Sequence, residues 1–270
     1  MFLNRLSGTF KRYATVVWQL VVTDLMVFRS SIVGSVIDTG ILTFLTVGTM
    51  TYIFPLLGMT QDYGPFVAWS AIPSAGIFEI FGFAMVLLSD IRGERSISSR
   101  LILPIPTYLV FVAKAYAYAC RALINVVAAA GVGVVVLLVG GRFSAEYFSF
   151  WKFGVAVGCI LLFVGFFTLF VVSLIKDVYR LNSVWKRVLS PMHYFGGAQF
   201  SWKTAVVFLP AFGYLSLLNP VLYLNEGIHA ATLNPEQFLN FWLCCGVMLL
   251  MTVLFGVMGI KRLKKQLQWV

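Results

Sequence analysis

The sequence predicts an all-α membrane protein that crosses the bilayer several times. Three observations support this fold class: 60% of the 270 residues are hydrophobic, 11% are charged, and the mean hydropathy is +0.91. A soluble domain carries about 25% charged residues. A bilayer core about 30 Å thick takes about 20 consecutive apolar residues to cross as a helix, and long uncharged runs of that kind recur along the chain.

The uncharged runs predict six membrane spans, and Pro and Gly residues break the fifth of them. The predicted spans are residues 39–61, 63–89, 122–141, 153–175, one crossing within 188–225, and 237–260. The fifth crossing is made by either 188–202 or 204–225, because Pro and Gly interrupt regular helix throughout this region. The interrupting residues are Pro191, Gly196, Gly197, Pro210 and Pro220.

Basic residues predict the orientation, because cytoplasmic loops near span ends carry an excess of Lys and Arg. With the N-terminus inside, fifteen of the twenty basic residues face the cytoplasm and three face outward. Both termini are therefore predicted to be cytoplasmic, and the net charge of +10 requires no nucleic-acid partner. Charges within residues 1–30 favour a retained helix at the cytoplasmic interface over a signal peptide. A plain solvated leader is the alternative.

No catalytic or nucleotide-binding motif occurs in the sequence. It lacks a G-x-S-x-G elbow, an H-E-x-x-H motif and a P-loop, and its two histidines, His193 and His229, are far apart. The four cysteines show no C-x-x-C spacing, which predicts neither a disulfide framework nor a zinc site. The chain is therefore predicted to be one membrane domain, residues 1–270, that is not an enzyme and binds no cofactor or metal itself.

Glu79 is predicted to lie near the middle of the bilayer, because about ten residues, at about 1.5 Å each, separate it from the end of the second span. Charges at that depth are costly and tend to be functional. We expect Glu79 either to act in a pathway or subunit contact, or to be a protonated or ion-paired structural residue that reaches Arg121. Phe78 and Phe81 would either line the same path or pack against lipid and core.

Three further charges are predicted to lie at the cytoplasmic boundary. Lys114 and Arg121 precede the uncharged run 122–141, so their long side chains are expected to reach the interface. Asp38 precedes the first span and receives the same prediction. In the fourth span, Gly154 and Gly158 form a G-x-x-x-G pattern, which favours close helix packing.

A compact charged segment, residues 89–106, joins the second and third spans. It is predicted to form a short cytoplasmic helix that stops at Pro104 and Pro106. Exposed charges beside a few apolar side chains are typical of a docking surface for a soluble partner, and an ordinary positive-inside loop is the alternative. The candidate docking residues are Asp90, Arg92, Glu94, Arg95, Ser96 and Arg100.

The order of these features resembles the membrane permease subunit of ABC-2-type exporters. The most specific likeness is "LLNPVLYLNEGIHA", residues 217–230, in which four residues fit the family segment that precedes the last span. His229 stands where the family often has Arg. The segment "HYFGGAQF", residues 193–200, is similar to the outer half of the family's fifth span. The four fitting residues are Asn219, Pro220, Tyr223 and Glu226.

The resemblance implies that two permease copies pair in a bacterial inner membrane and that separate ATPase subunits, which bind ATP and Mg²⁺, dock beneath them. Residues 90–101 would be the coupling helix that enters the ATPase, and residues 201–233 would form re-entrant helices in the outer leaflet. The exported molecule would be a lipid-linked glycan, a lipid or another amphiphile. Drug-type members often have Gly-Thr where Arg95 and Ser96 stand here, so the substrate class stays open.

Two functions of other kinds stay open at this point. An ion-coupled secondary carrier would depend on Glu79 and would need no ATPase partner. A membrane assembly factor would not transport a substrate.

Overall fold

The computed structural model describes residues 2–58, 60, 63–92, 102, 105–175 and 177–267, without the side chains of residues 2–10, 92 and 178. Within these residues every regular element is a helix, which confirms the all-α prediction. Five helical segments are long and apolar enough to cross a membrane, as expected for an integral membrane protein. They are Lys11–Leu56, Tyr63–Ile91, Thr107–Val139, Phe150–Leu174 and Phe241–Leu267.

Twelve α-helices, several of them very short, follow one another along the described residues. They are α1 (Phe2–Phe28), α2 (Ile32–Gly48), α3 (Phe54–Leu56), α4 (Tyr63–Arg92), α5 (Thr107–Val139), α6 (Phe150–Leu174), α7 (Leu181–Val184), α8 (Ser190–Tyr194), α9 (Trp202–Phe208), α10 (Pro210–Ser216), α11 (Pro220–Thr232) and α12 (Phe241–Leu267). Two π-helical turns, Thr49–Ile53 and Trp185–Leu189, extend α2 and α7.

The helix that carries the first predicted span begins well before residue 39, because α1 and α2 are joined by a single 3₁₀ turn at Arg29–Ser31 and run together along α5. Val21 packs against α5 near its start, Ser35 hydrogen-bonds Asn125 at its middle, and the Tyr52 hydroxyl donates to Val136 O near its end. The apolar helical segment Lys11–Leu56 thus contains most of the predicted span 39–61 and extends beyond it at the N-terminal side.

The helix that carries the third predicted span, 122–141, begins well before it, since α5 starts at Thr107. At about 1.5 Å per residue its 33 residues extend about 50 Å, longer than a bilayer core of about 30 Å. Lys114 and Arg121 thus lie inside a continuous helix. The second and fourth spans, in contrast, agree with α4 and α6 to within a few residues, because apolar runs there coincide with the helices.

The core lies where α4, α5, α6, α11 and α12 meet, and small residues allow the closest approaches. A Cβ on Gly165 of α6 would lie 2.2 Å from Ala115 O of α5, and one on Gly259 of α12 would lie 2.7 Å from Phe170 N. Gly154 and Gly158 make no close helix contact within the described part of this chain, because a Cβ at either position would meet open space. Glycine spacing alone did not indicate which face of the helix packs.

Residues 178–217 form only short helices, as the Pro and Gly residues in this region predict. Each start has a local cause: Ser201 Oγ accepts from Thr204 N at the start of α9, and Pro210 occupies the first turn of α10. Asn219 Oδ1 accepts from Val221 N at the start of α11, where Pro220 is the first residue. All thirteen residues of α11 are buried.

Candidate functional site

A polar layer joins three helices at about half their height. Asn125 Nδ2 lies 2.8 Å from Ser35 Oγ, and Ser35 Oγ lies 3.4 Å from Glu79 Oε1. Glu79 is close to the middle of α4, and Asn125 is close to the middle of α5. The layer therefore brings α2, α4 and α5 together through side-chain hydrogen bonds near the middle of α4 and α5.

A second polar layer lies three helical turns away on the same three-helix face. Lys114 Nζ lies 2.9 Å from Asp90 Oδ2 and 3.3 Å from Asp24 Oδ1. Lys114 is 5% exposed, which corrects the prediction that its side chain reaches the interface. The lysine stays buried because two carboxylates compensate its charge, and it ties α1 and the end of α4 to the start of α5.

The two layers are in register, because eleven residues separate Asp24 from Ser35, Glu79 from Asp90, and Lys114 from Asn125. Eleven residues correspond to about three helical turns and about 16 Å of rise. Because the spacing is equal, each layer contains one polar residue from the joined helices α1 and α2, one from α4 and one from α5. The sequence analysis did not predict these two layers. The signal that could have indicated them is the eleven-residue spacing between polar residues, which recurs in three parts of the chain.

Arg121 lies between the two layers and contacts aromatic rings. Its guanidinium carbon is 4.0 Å from the centroid of the Phe28 ring and 4.9 Å from that of the Phe83 ring. Such cation–π contacts stabilise a partly desolvated guanidinium. Among the described residues, Arg121 and Glu79 do not form an ion pair. The alternative in which Glu79 pairs directly with Arg121 is therefore wrong for this structure.

Beside the central layer, a lateral cavity of about 370 Å³ opens between α2, α4 and the segment around α8. Glu79 and Asp38 both line this cavity. Asp38 is exposed and lies one turn from Ser35, so it is close to the central layer and not at the boundary, where the sequence placed it. Other lining residues are Thr39, Thr43, Thr46, Ser70, Ser74, Phe78, His193, Tyr194 and Gln199.

A larger cavity of about 600 Å³ lies at the opposite end of the bundle from the Lys114 layer. It is lined by aromatic and polar side chains, and Gln199 belongs to both cavities. Arg142 lines it as well and donates a hydrogen bond to Thr51 O in the first π turn. Other lining residues are Tyr63, Phe66, Trp69, Tyr147, Phe200, Asn234, Gln237 and Phe238.

The predicted motif residues of 217–230 form a buried network around α11. Glu226 is 0% exposed, and its two carboxylate oxygens accept from Trp202 N at 2.6 Å and Leu239 N at 2.8 Å. The Tyr223 hydroxyl donates to Leu217 O at 2.9 Å. Glu226 thus ties α11 to the start of α9 and to the segment that leads into α12, and it is a structural residue in this arrangement.

His229, on the same helix, faces the start of α4. Its Nε2 lies 2.9 Å from Ser70 Oγ and 3.1 Å from Phe66 O, and its ring stacks on the Phe66 ring at 4.1 Å. His229 is fully buried. It therefore links α11 to α4 through ring stacking and hydrogen bonding.

The two segments with family likeness, 193–200 and 217–230, contact each other directly. Asn225 Nδ2 donates to Gly196 O at 2.8 Å, and Asn219 Nδ2 donates to Met192 O at 2.7 Å. Gly197 has a φ of +76°, which favours glycine. A Cβ on Gly196 would lie 2.5 Å from Val221 Cγ1, so the glycine pair allows the turn to reach α11.

No family model, curated protein or solved structure matches this chain.

The predicted docking residues are described in part. Asp90 lies in the last turn of α4 and pairs with Lys114, so its carboxylate contacts the helix bundle. The backbone of Arg92 ends α4. Glu94, Arg95, Ser96 and Arg100 lie outside the described residues.

The aromatic residues beside Glu79 pack against the broken region. The Trp185 ring lies 5.7 Å from the Phe78 ring and 5.5 Å from the Phe81 ring, and the His193 ring lies 4.8 Å from Phe78. Phe78 also lines the lateral cavity. Among the described residues no group of three His, Cys, Asp or Glu is arranged to hold a metal ion. The part played by Asp38 and His193 in the cavity was missed, because neither carries a sequence motif.

Proposed function

We propose that the chain is the membrane permease subunit of an ATP-driven exporter of the ABC-2 type, which moves a lipid-linked glycan, a lipid or another amphiphile outward. The observation that carries the proposal is the direct packing of 193–200 against 217–230, in which Asn225 donates to Gly196 O and Gly196 packs closely on Val221. Two separate stretches resemble the family, and they meet in one compact unit. Contact between the two stretches is expected if both form the outer part of an ABC-2-type permease.

The fifth crossing is best assigned to the segment that ends near residue 200, the first of the two alternatives. Trp185 contacts Phe81 of α4, His193 contacts Phe78, and Gln199 O accepts from the Tyr63 hydroxyl at 3.0 Å. These contacts follow α4 from its middle to its start. They support a fifth crossing in chain order that is made of short helices and a π turn, in addition to the five long helices.

The re-entrant assignment of 201–233 is supported by where the two ends of α11 lie. Asn219 contacts Met192, well inside the bundle, whereas His229 contacts Ser70 and Phe66 near the start of α4. At about 1.5 Å per residue, the thirteen residues of α11 extend about 20 Å, too short to cross a core of about 30 Å. Irregular backbone around α11 is covered by protein, as an embedded segment requires.

The layer around Lys114 supports a mechanical role for the segment between α4 and α5. Lys114 ties the end of α4 and the end of α1 to α5, immediately beside the predicted coupling helix at 90–101. A partner that displaces this segment would move three joined helices together. The lateral and outer cavities, which share Gln199, would then change shape as the route for the substrate.

The test is whether an ATPase co-purifies with this chain from its native membrane, followed by ATP-dependent transport in vesicles that contain both. We expect a stoichiometric complex that is lost when Arg92, Glu94 and Arg95 are reversed to Glu, Lys and Glu. The matched control reverses Lys264 and Lys265, which lie in the last turn of α12 and are exposed. The proposal is overturned if no ATPase associates, or if both sets of reversals weaken the complex equally.

An ion-coupled carrier is the second candidate, favoured by the two carboxylates, Glu79 and Asp38, that line the lateral cavity. Charged groups within a membrane frequently mark ion pathways. This candidate predicts transport by the chain alone, driven by an ion gradient and abolished by Glu79→Gln. Transport that requires ATP and the ATPase, and that survives collapse of ion gradients, excludes it.

A further inference from the structure

We propose that the lateral cavity binds the ammonium or guanidinium head group of an amphiphile, with Glu79 and Asp38 as its counter-ions. This inference rests on the proposed function, since it gives a chemical class to the transported molecule. The volume of about 370 Å³ is within the range of small-molecule sites, about 300 to 1,000 Å³.

The charge of the cavity wall is the first argument. Glu79 and Asp38 are its two carboxylate residues, and no Lys or Arg lines it. Among the described residues, neither carboxylate forms an ion pair, since the two ion pairs there belong to Lys114. The nearby Arg121 guanidinium interacts with Glu79 through space and compensates its charge in part, but it lies against the Phe28 and Phe83 rings and forms no direct pair with the carboxylate. A carboxylate at this depth costs at least about 2.5 kcal/mol unless a partner compensates it, and a cationic ligand would do so.

His193 gives a second, independent argument. It lines the cavity and is 9% exposed, and its Nδ1 has no hydrogen-bond partner among the described residues. A buried polar atom without a partner is costly. A neutral imidazole protonated on Nε2 accepts a hydrogen bond at Nδ1. The site therefore favours a cation that carries N–H groups over a quaternary ammonium.

The rest of the wall suits the remainder of an amphiphile. Thr39 and Ser74 supply hydroxyl groups, whereas Leu42, Met50 and Phe78 supply apolar surface. Leu42 is 50% exposed on the outside of α2. The cavity thus reaches the lateral surface of the bundle, where an alkyl chain can extend into lipid while its head group contacts Glu79.

Charge selectivity is tested by the reactivity of a single cysteine at Ser74, in full-length protein with its four native cysteines replaced by Ala. The probes are a trimethylammonium-ethyl and a sulfonato-ethyl methanethiosulfonate. We expect the cationic reagent to react about tenfold faster than the anionic one, after correction for free cysteine. Asp38→Asn and Glu79→Gln, tested singly and together, should each reduce this preference. The control is Ser144→Cys in the outer cavity, whose preference should not respond to either change.

Ligand chemistry is tested by protection of the Ser74→Cys thiol with decylammonium, decyl sulfate and decanol. Decylammonium should protect, and the other two should not. His193→Phe should weaken protection by decylammonium more than protection by decyltrimethylammonium. The inference is overturned if all three decyl compounds protect equally, if the carboxylate changes leave selectivity unaltered, or if the thiol reacts with no reagent. If the cavity selects cations but no ATPase associates with the chain, only the proposed function is overturned. If an ATPase associates but the cavity does not select cations, only the ligand class is overturned.

Discussion

Lys114 of α5 donates to Asp90 of α4 across 2.9 Å, at the point where α4 leaves the bundle toward the predicted coupling segment. The pair also includes Asp24 of α1, 3.3 Å from the same nitrogen. Three turns along the same helices, the same three-way contact recurs with Ser35, Glu79 and Asn125. The bundle is thus joined by polar groups at two heights, with the lateral cavity beside the central one.

Replacing Lys114 with Met should destabilise the protein strongly. The lysine side chain is 6% exposed, and removing one member of a buried ion pair costs about 3 to 5 kcal/mol because the carboxylates lose their compensation. The measurement is the midpoint of thermal unfolding in maltoside micelles. The control Lys186→Met changes an exposed lysine and should leave the midpoint nearly unchanged. Equal midpoints for both variants would contradict a structural role for the Lys114 layer.

Glu226→Gln should lower stability by about 1 to 3 kcal/mol, because the amide NH₂ group would face a backbone N–H donor and leave it unsatisfied in a buried site. Thermal unfolding measures the loss, and Glu236→Gln, at an exposed position, is the control. If Glu226 were instead a transport residue, stability would hold while transport fell.

Gly165→Ala should force α5 and α6 apart, since the new Cβ would overlap Ala115 O. Overpacking of this kind costs about 1 to 3 kcal/mol. Gly158→Ala on the same helix meets open space and should be neutral or slightly stabilising, because alanine favours helix more than glycine does. The measurement is the midpoint of thermal unfolding of each variant. Equal midpoints would contradict a close contact between α5 and α6 at Gly165.

Cysteine labelling from each side of the membrane tests the predicted orientation. In a cysteine-free background, Ser99→Cys in the segment between α4 and α5 should react with a membrane-impermeant maleimide only after the cytoplasmic side is opened. Ser144→Cys, between α5 and α6, should react in intact cells. The opposite pattern would place the predicted coupling segment outside and remove the basis for ATPase docking.

The apolar runs predicted α4 and α6 well, because their lengths match a membrane span and charged residues bound them. The length of α5 was not predicted, for a physical reason. Lys114 and Arg121 interrupt the uncharged run, yet α5 continues through both, since carboxylates compensate one and aromatic rings surround the other. A charged residue therefore need not end a helix where nearby groups compensate its charge.

By itself, the sequence determined the helical class, the long apolar helices typical of a membrane protein, and the breaks around residues 191–220. These follow from hydrophobic length and from local backbone preferences, which are properties of consecutive residues. The tertiary structure alone decided that Asp38, Glu79 and His193 line one cavity and that Lys114 meets Asp24 and Asp90. Those contacts join positions far apart in the chain, and they depend on which helix faces pack together.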